Sequence, residues 1–78
     1  MPKRLFNWKF ADVDKFLRER SFRIDHTHTG GSHYYYHGYV GGRLRVVYVP
    51  FHGSKAIKPK TIKSIISQSY IPKEEWLK

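Results

Sequence analysis

The 78-residue sequence contains no cysteine, few acidic residues and no long apolar run. The absence of cysteine excludes a disulfide framework, a thiolate metal site and a cysteine nucleophile, and it makes a cytoplasmic location the default expectation. Because the basic N-terminus leads into no apolar stretch, we expect neither a membrane span nor a signal peptide. The length leaves no room for a second core, so we predict one domain over residues 1–78, with a loosely ordered lead-in at residues 1–7.

Positive charge is what the sequence has in excess. Fifteen Lys and Arg residues against six Asp and Glu residues give a formal net charge of +9 with histidine neutral. A charge density of this size favours a polyanionic partner, above all a nucleic acid. A basic surface can also serve solubility alone, so composition does not decide between the two interpretations.

Hydrophobic spacing predicts an α+β domain. Apolar residues recur at helical spacing, with Asp12 and Asp14 facing out in the first helix, and the predicted helices cover residues 8–20, 59–69 and 73–77. The predicted strands cover residues 22–26, 33–40 and 44–49. Gly41-Gly42 predicts a two-residue hairpin turn between the second and third strands. We therefore expect a three-stranded antiparallel sheet, covered on one face by two helices and followed by a short C-terminal helical turn.

The chain is rich in histidine, at positions 26, 28, 33, 37 and 52. His26 and His28 would lie on one face of a strand, and a third histidine could complete a metal site. However, no cysteine and no carboxylate lies at ligand spacing. Histidines scattered over a basic sheet are the favoured interpretation, and we expect no metal and no other cofactor.

The sequence Gly30-Gly31-Ser32-His33 is the more informative cluster. Glycine lets the backbone approach a bulky group such as a phosphate, and the Ser32 hydroxyl adds a hydrogen-bond donor. Imidazole has an ordinary pKa of about 6.5, so a histidine held at the start of a strand can give or take a proton near neutrality. A turn followed by an ordinary strand residue remains the alternative.

Tyrosines and cations surround this cluster. By strand alternation half of the tyrosines pack in the core and the others face away, where a ring such as that of Tyr35 can stack an unpaired base. From charge and position we expect RNA phosphates to contact Gly31 and Ser32 and the cations Arg43, Arg45, Lys55 and Lys58.

Taken in order, several segments resemble the HicA family of mRNA interferase toxins. The segments that carry the resemblance are residues 17–22, 31–36, 47–53, 57–65 and 71–77. The resemblance implies a double-stranded-RNA-binding-like fold with the order α-β-β-β-α. It also implies a ribonuclease toxin that cleaves mRNA and is held inactive by a HicB-type antitoxin. The family's functional histidine follows a Gly-Ser or Gly-Gly pair, and that position here is His33.

Three departures from the family pattern stand out. Ser21 replaces the glycine that is common at the end of the first helix, so a residue with a Cβ must form the left-handed cap or avoid it. Residues 38–42 replace a short polar turn, so the second and third strands should be longer or bulged. Residues 26–29 are less basic than in relatives.

The leading hypothesis is metal-independent RNA cleavage, in which a ribose 2′-hydroxyl attacks the adjacent phosphodiester and His33 acts as general acid or base. The second proton-transfer group stays open among His52, Ser32 and a tyrosine hydroxyl. The alternatives are a non-catalytic RNA-binding module of the same fold and a protein-interaction domain with an acidic partner.

Overall fold

The computed structural model describes residues 7–25, 33–51 and 55–77, and its elements follow the predicted order. These elements are α1 (Phe10–Glu19), β1 (Arg23–Asp25), β2 (His33–Val40), β3 (Arg43–Pro50), α2 (Pro59–Ser69) and α3 (Lys73–Trp76). The predicted α+β class and the α-β-β-β-α order with a short C-terminal helix are confirmed. Residues 1–6 of the predicted lead-in at residues 1–7, and residues 26–29, lie outside the described residues.

The sheet is antiparallel in the order β1-β2-β3. Its long hairpin pairs residue by residue from His33 with Pro50 to Val40 with Arg43, so β2 and β3 are long and their ladder contains no bulge. Gly41 and Gly42 have φ angles of 63° and 77°, the positive values that a two-residue hairpin turn requires. This turn fixes the register, and therefore fixes which side chains share a face.

The helices α1 and α2 pack on one face of the sheet. Strand alternation turns Tyr36, Val47 and Val49 toward that face, where they are fully buried. The same core cluster includes α1 side chains such as Leu17 and α2 side chains such as Ile62. The opposite face of β2 and β3 is therefore left without a helix among the described residues.

The core extends to both ends of the described chain. Trp76, on α3, stacks on Phe16 with ring centroids 3.8 Å apart, and Trp8 contacts both rings edge-on. Arg20 lies 3.7 Å from the centre of the Phe16 ring and donates a 3.3 Å hydrogen bond to Glu75. The segment before α1 and the helix α3 thus pack against each other and against the Phe16 ring.

Asp14 links α1 to the sheet. Its Oδ1 atom accepts a 2.6 Å hydrogen bond from the Tyr36 hydroxyl and a 2.8 Å hydrogen bond from Arg18 Nε. Burial, followed by these contacts with Asp14, raises the pKa of the Tyr36 hydroxyl well above its ordinary value. The hydroxyl thus remains a donor at physiological pH, and Asp14 serves as its acceptor rather than only facing solvent.

Ser21 forms the left-handed cap of α1 in spite of its Cβ. Its φ is 67°, and the Phe22 N–H donates to Leu17 O while the Ser21 N–H donates to Arg18 O, the hydrogen-bond pair of a Schellman motif. The left-handed conformation costs a non-glycine residue roughly 1–2 kcal/mol. Glycine avoids this cost, but a glycine chain has more conformational freedom to lose on folding, and that entropy loss cancels part of the gain.

We expect Ser21→Gly to raise the free energy of unfolding by about 0.5–1 kcal/mol, because only the strained cap is relieved. Urea denaturation would measure this change. Glu19→Gly, inside the same last turn, should act in the opposite direction because glycine disfavours a helix interior. Loss of stability in Ser21→Gly would contradict this account of the cap.

Candidate functional site

His33 begins β2, and its side chain lies on the sheet face that carries no helix. It pairs with Pro50 across the hairpin, which brings Tyr48 into the diagonal position on β3. The imidazole stacks on the Tyr48 ring with centroids 4.6 Å apart and planes 10° from parallel. Tyr35, opposite Tyr48, contacts the same ring at 4.6 Å in a tilted arrangement. Tyr48 therefore supports the imidazole directly, and Tyr35 supports the Tyr48 ring.

A groove with a volume of about 390 Å³ opens beside this histidine, between β3 and α2. Its lining consists of His33, Tyr48, Pro50, Lys58, Thr61, Ser64 and Gln68. Gln68 joins the two walls, since its Oε1 atom accepts a 2.7 Å hydrogen bond from the Tyr48 backbone N–H. Among the residues that the structure describes, the groove thus combines the His33 imidazole, the Lys58 ammonium group and a row of neutral polar side chains.

The Tyr48 hydroxyl stays protonated in this setting. Burial raises the pKa of Tyr48, and the neighbouring Tyr35 raises it further through its charge and a side-chain hydrogen bond. A tyrosine hydroxyl is already neutral at physiological pH, and the raised pKa keeps it so, which leaves a neutral aromatic ring against the imidazole.

The uncovered sheet face, here called the open face, is aromatic on β2 and apolar on β3. Its paired residues are His33 with Pro50, Tyr35 with Tyr48, His37 with Val46 and Tyr39 with Leu44. Tyr39 is 71% exposed, and Leu44 and Val46 are about half exposed. None of these eight residues is Lys, Arg, Asp or Glu. Exposed apolar side chains grouped on one face in this way are typical of interaction surfaces.

The residues predicted to contact RNA fall into three groups. Lys58 lines the groove, Tyr35 lies on the open face beside His33, and Lys55 is exposed in the segment before α2. Gly31 and Ser32 lie outside the described residues.

Arg43 and Arg45 form the third group, and the structure does not bring them to the groove. They pair with Val40 and Gly38, seven and five residues along the ladder from His33, which is roughly 23 and 17 Å. Alternation also directs them to the helix-covered face, where the Arg45 guanidinium lies 3.6 Å from the centre of the Tyr70 ring. They can contact only a nucleic acid that extends well beyond the groove.

Sequence reasoning did not single out three residues of the groove, namely Thr61, Ser64 and Gln68. Their signal was a spacing of three and four residues along α2, which places neutral polar side chains on one helical face. The stacking of Tyr48 on His33 was also not predicted, although the hairpin register places these two residues diagonally across the β2–β3 ladder.

Among residues 7–25, 33–51 and 55–77, no group of three His, Asp or Glu side chains lies close enough together to hold a metal ion. His26, His28 and His52 fall outside these ranges. None of the helices described combines the length and hydrophobicity that crossing a membrane requires.

Fold and site together define a small basic α+β domain with a groove whose described lining includes His33 and Lys58. A family model described as the HicA toxin of bacterial toxin–antitoxin systems matches residues 10–71. Because this match covers most of the chain, the protein belongs to the HicA toxin family, and its role is that of the toxin in a toxin–antitoxin pair. Comparison with the curated proteins and with the solved structures gave no significant match.

Proposed function

We propose that this toxin is an endoribonuclease that cleaves mRNA, with His33 as general acid or base. The observation that carries the proposal is the pairing, in one groove, of an oriented imidazole with the ammonium group of Lys58. Such a pair supplies what phosphodiester cleavage needs, namely a group that moves protons near neutral pH and a fixed positive charge. Membership of the HicA family supports the same assignment.

In the proposed reaction a ribose 2′-hydroxyl attacks the adjacent phosphorus. The bond from O2′ to phosphorus forms and the bond from phosphorus to O5′ breaks, giving a 2′,3′-cyclic phosphate and a 5′-hydroxyl end. His33 either accepts the 2′-hydroxyl proton or donates a proton to the leaving O5′, and Lys58 stabilises the charge on the phosphoryl oxygens. Candidates for the second proton transfer are His52, Ser32 and a tyrosine hydroxyl.

RNA would reach His33 across the strand start and the open face. Gly31 and Ser32 are proposed to hold the phosphate next to His33, and Tyr35 to stack a neighbouring base. Lys55 and Lys58 would follow the backbone toward α2. Arg43 and Arg45 are retained only as contacts of an RNA that continues past the hairpin end.

The proposed partner is a HicB-type antitoxin that covers the open face. An apolar surface whose β1 rim carries Arg23 and Asp25, and whose groove side carries Lys58, suits a protein with apolar side chains and charged groups at its edge. Covering this face would also cover His33, so binding and inhibition would coincide. Co-purification of the toxin with the protein encoded beside it tests this pairing, and a toxin that purifies alone from its native operon would contradict it.

The test of cleavage uses a single-stranded RNA and the same RNA with one 2′-deoxy nucleotide at the cleaved bond, each with and without a chelator. We expect the RNA to be cut at an unchanged rate in chelator, and the deoxy bond to stay intact. Cleavage at the deoxy bond would exclude attack by the 2′-hydroxyl, and loss of activity in chelator would favour a metal site.

A second candidate function is RNA binding without cleavage. The aromatic row on β2 favours it, because exposed rings can stack bases with no need for a catalytic group. Equal binding of both RNAs, with no cleavage of either, would select this candidate.

Tyr48 is expected to act as a positioning residue, since its ring fixes the plane of the imidazole. Tyr48→Leu removes the stack and should lower kcat for RNA cleavage by about 10- to 100-fold with KM little changed, because small misplacements of a catalytic group are costly. Tyr48→Phe keeps the ring and should restore most of kcat. Equal losses in the two variants would instead assign the effect to the hydroxyl or to folding.

A further inference from the structure

The wall of the groove formed by α2 is polar but uncharged over most of its length. Thr61, Ser64 and Gln68 line it, while Lys58 supplies the one cation at the end where the helix begins. The facing wall is aromatic, formed by His33 and Tyr48. Only one end of the groove therefore suits a phosphate, and its remainder suits a planar, neutral group with a hydrogen-bonding edge.

Gln68 is already oriented for such a group. The Tyr48 N–H donates to Gln68 Oε1 at 2.7 Å, which settles which end of the amide is oxygen. The amide NH₂ of Gln68 then offers two donors, and the hydroxyls of Thr61 and Ser64 can donate or accept. This row presents a hydrogen-bonding pattern, whereas a phosphate site would need more positive charge.

An unpaired nucleobase has the matching chemistry. Proteins recognise single-stranded RNA by stacking bases on aromatic rings and by hydrogen bonds to the base edges. A groove of about 390 Å³ is within the size range of sites that hold small planar ligands. The groove also begins at the imidazole, so a base held there belongs to a nucleotide next to the phosphate at His33.

We propose that the groove between β3 and α2 is a nucleobase subsite that selects the nucleotide adjacent to the cleaved bond. In it, the Gln68 amide and the Ser64 hydroxyl bond the edge of the base. This inference rests on the proposed ribonuclease function. Cleavage then depends on base identity at one position, and the neutral row on α2 sets that dependence.

The test uses four single-stranded RNAs that differ only in the base flanking the cleaved bond. For each RNA, kcat/KM is measured with the wild type, Gln68→Leu, Ser64→Ala and Ser67→Ala. The wild type should prefer one base, and the ratio of best to worst RNA should fall by about 3- to 10-fold in Gln68→Leu and Ser64→Ala, the size expected for one hydrogen bond. Ser67→Ala, an exposed position on the same helix outside the groove lining, should keep the wild-type ratio.

A binding measurement distinguishes a failure of this inference from a failure of the proposed function. Dissociation constants are measured for the same four oligonucleotides with a 2′-deoxy nucleotide at the cleaved bond. Base-dependent binding that weakens in both groove variants, combined with no cleavage of the four all-ribose RNAs by the wild type, would refute the ribonuclease assignment and support the subsite. Unchanged base ratios in both variants would overturn the subsite while leaving an observed cleavage activity standing.

A protein occupant is the remaining outcome. If Gln68→Leu and Ser64→Ala weaken binding of the antitoxin encoded beside this toxin and leave every base ratio unchanged, the groove receives that protein and the nucleobase proposal is wrong. Ser64→Ala removes only a hydroxyl at an exposed position, so its result stands even if Gln68→Leu loosens the edge of β3.

Discussion

Replacing His33 by alanine is expected to slow RNA cleavage by about 10²- to 10⁴-fold, the contribution typical of one general acid–base group. The side chain is half-buried on the open face and stacks on Tyr48, so its removal takes away the proton-transfer group and leaves the core untouched. The rate of cleavage of a single-stranded RNA is the measurement. Thermal unfolding of the same protein should show a midpoint close to that of the wild type.

His37→Ala is the matched control for this prediction. His37 lies on the same strand and the same face, four residues further along β2, and is exposed. Because it does not line the groove, its loss should leave the cleavage rate unchanged. A folded His33→Ala protein that cuts RNA as fast as the wild type would refute the role of His33, and an equal loss in His37→Ala would show that the effect is not specific to the groove.

Local patterns predicted the elements that carry this site. The bounds of β2 and α2 agree with the sequence analysis, because β2 is an aromatic run closed by Gly41-Gly42 and α2 begins at a proline suited to a first helical turn. The start of α1 was predicted two residues early. Lys9 is extended, and its N–H donates to Asp12, so the helix begins only at Phe10.

Charge alone does not predict on which face of the sheet each cation lies. Arg45 shares its parity with Val47 and Val49, so alternation turns it toward the helices, where Tyr70 lies under its guanidinium. Grouping cations by nearness in sequence joined Arg45 with Lys58, although the two lie in different parts of the fold. The hairpin register was available from the sequence and would have separated them.

The groove itself could not be predicted from local patterns. It exists because α2 lies along β3, and that packing joins residues about 20 positions apart, as in the bond between Gln68 and the Tyr48 N–H. The hydrogen bond between Asp14 and Tyr36 is of the same kind, since helical periodicity places Asp14 outward and only the position of the sheet supplies its partner. Such contacts depend on the assembled fold.

The stability of this toxin is expected to depend on residues outside the part that matches the family. Trp8 and Trp76 flank residues 10–71, both are almost fully buried, and they contact each other and Phe16. A domain of this size has a folding stability of roughly 4–12 kcal/mol, so one large core ring is a substantial part of the total.

We therefore expect Trp76→Ala to lower the free energy of unfolding by about 3–5 kcal/mol, through lost burial and the cavity left beside Phe16. Urea denaturation followed by circular dichroism measures the change, and the variant should be largely unfolded at 37 °C if the wild type lies at the lower end of the stability range. Tyr39→Ala, which removes an exposed ring from the open face, should cost less than about 0.5 kcal/mol. A loss below about 1 kcal/mol in Trp76→Ala would mean that the fold does not need the ring that α3 contributes to the core. The expected loss would instead show that the core beside Phe16 depends on a ring that lies outside the part of the chain that matches the family.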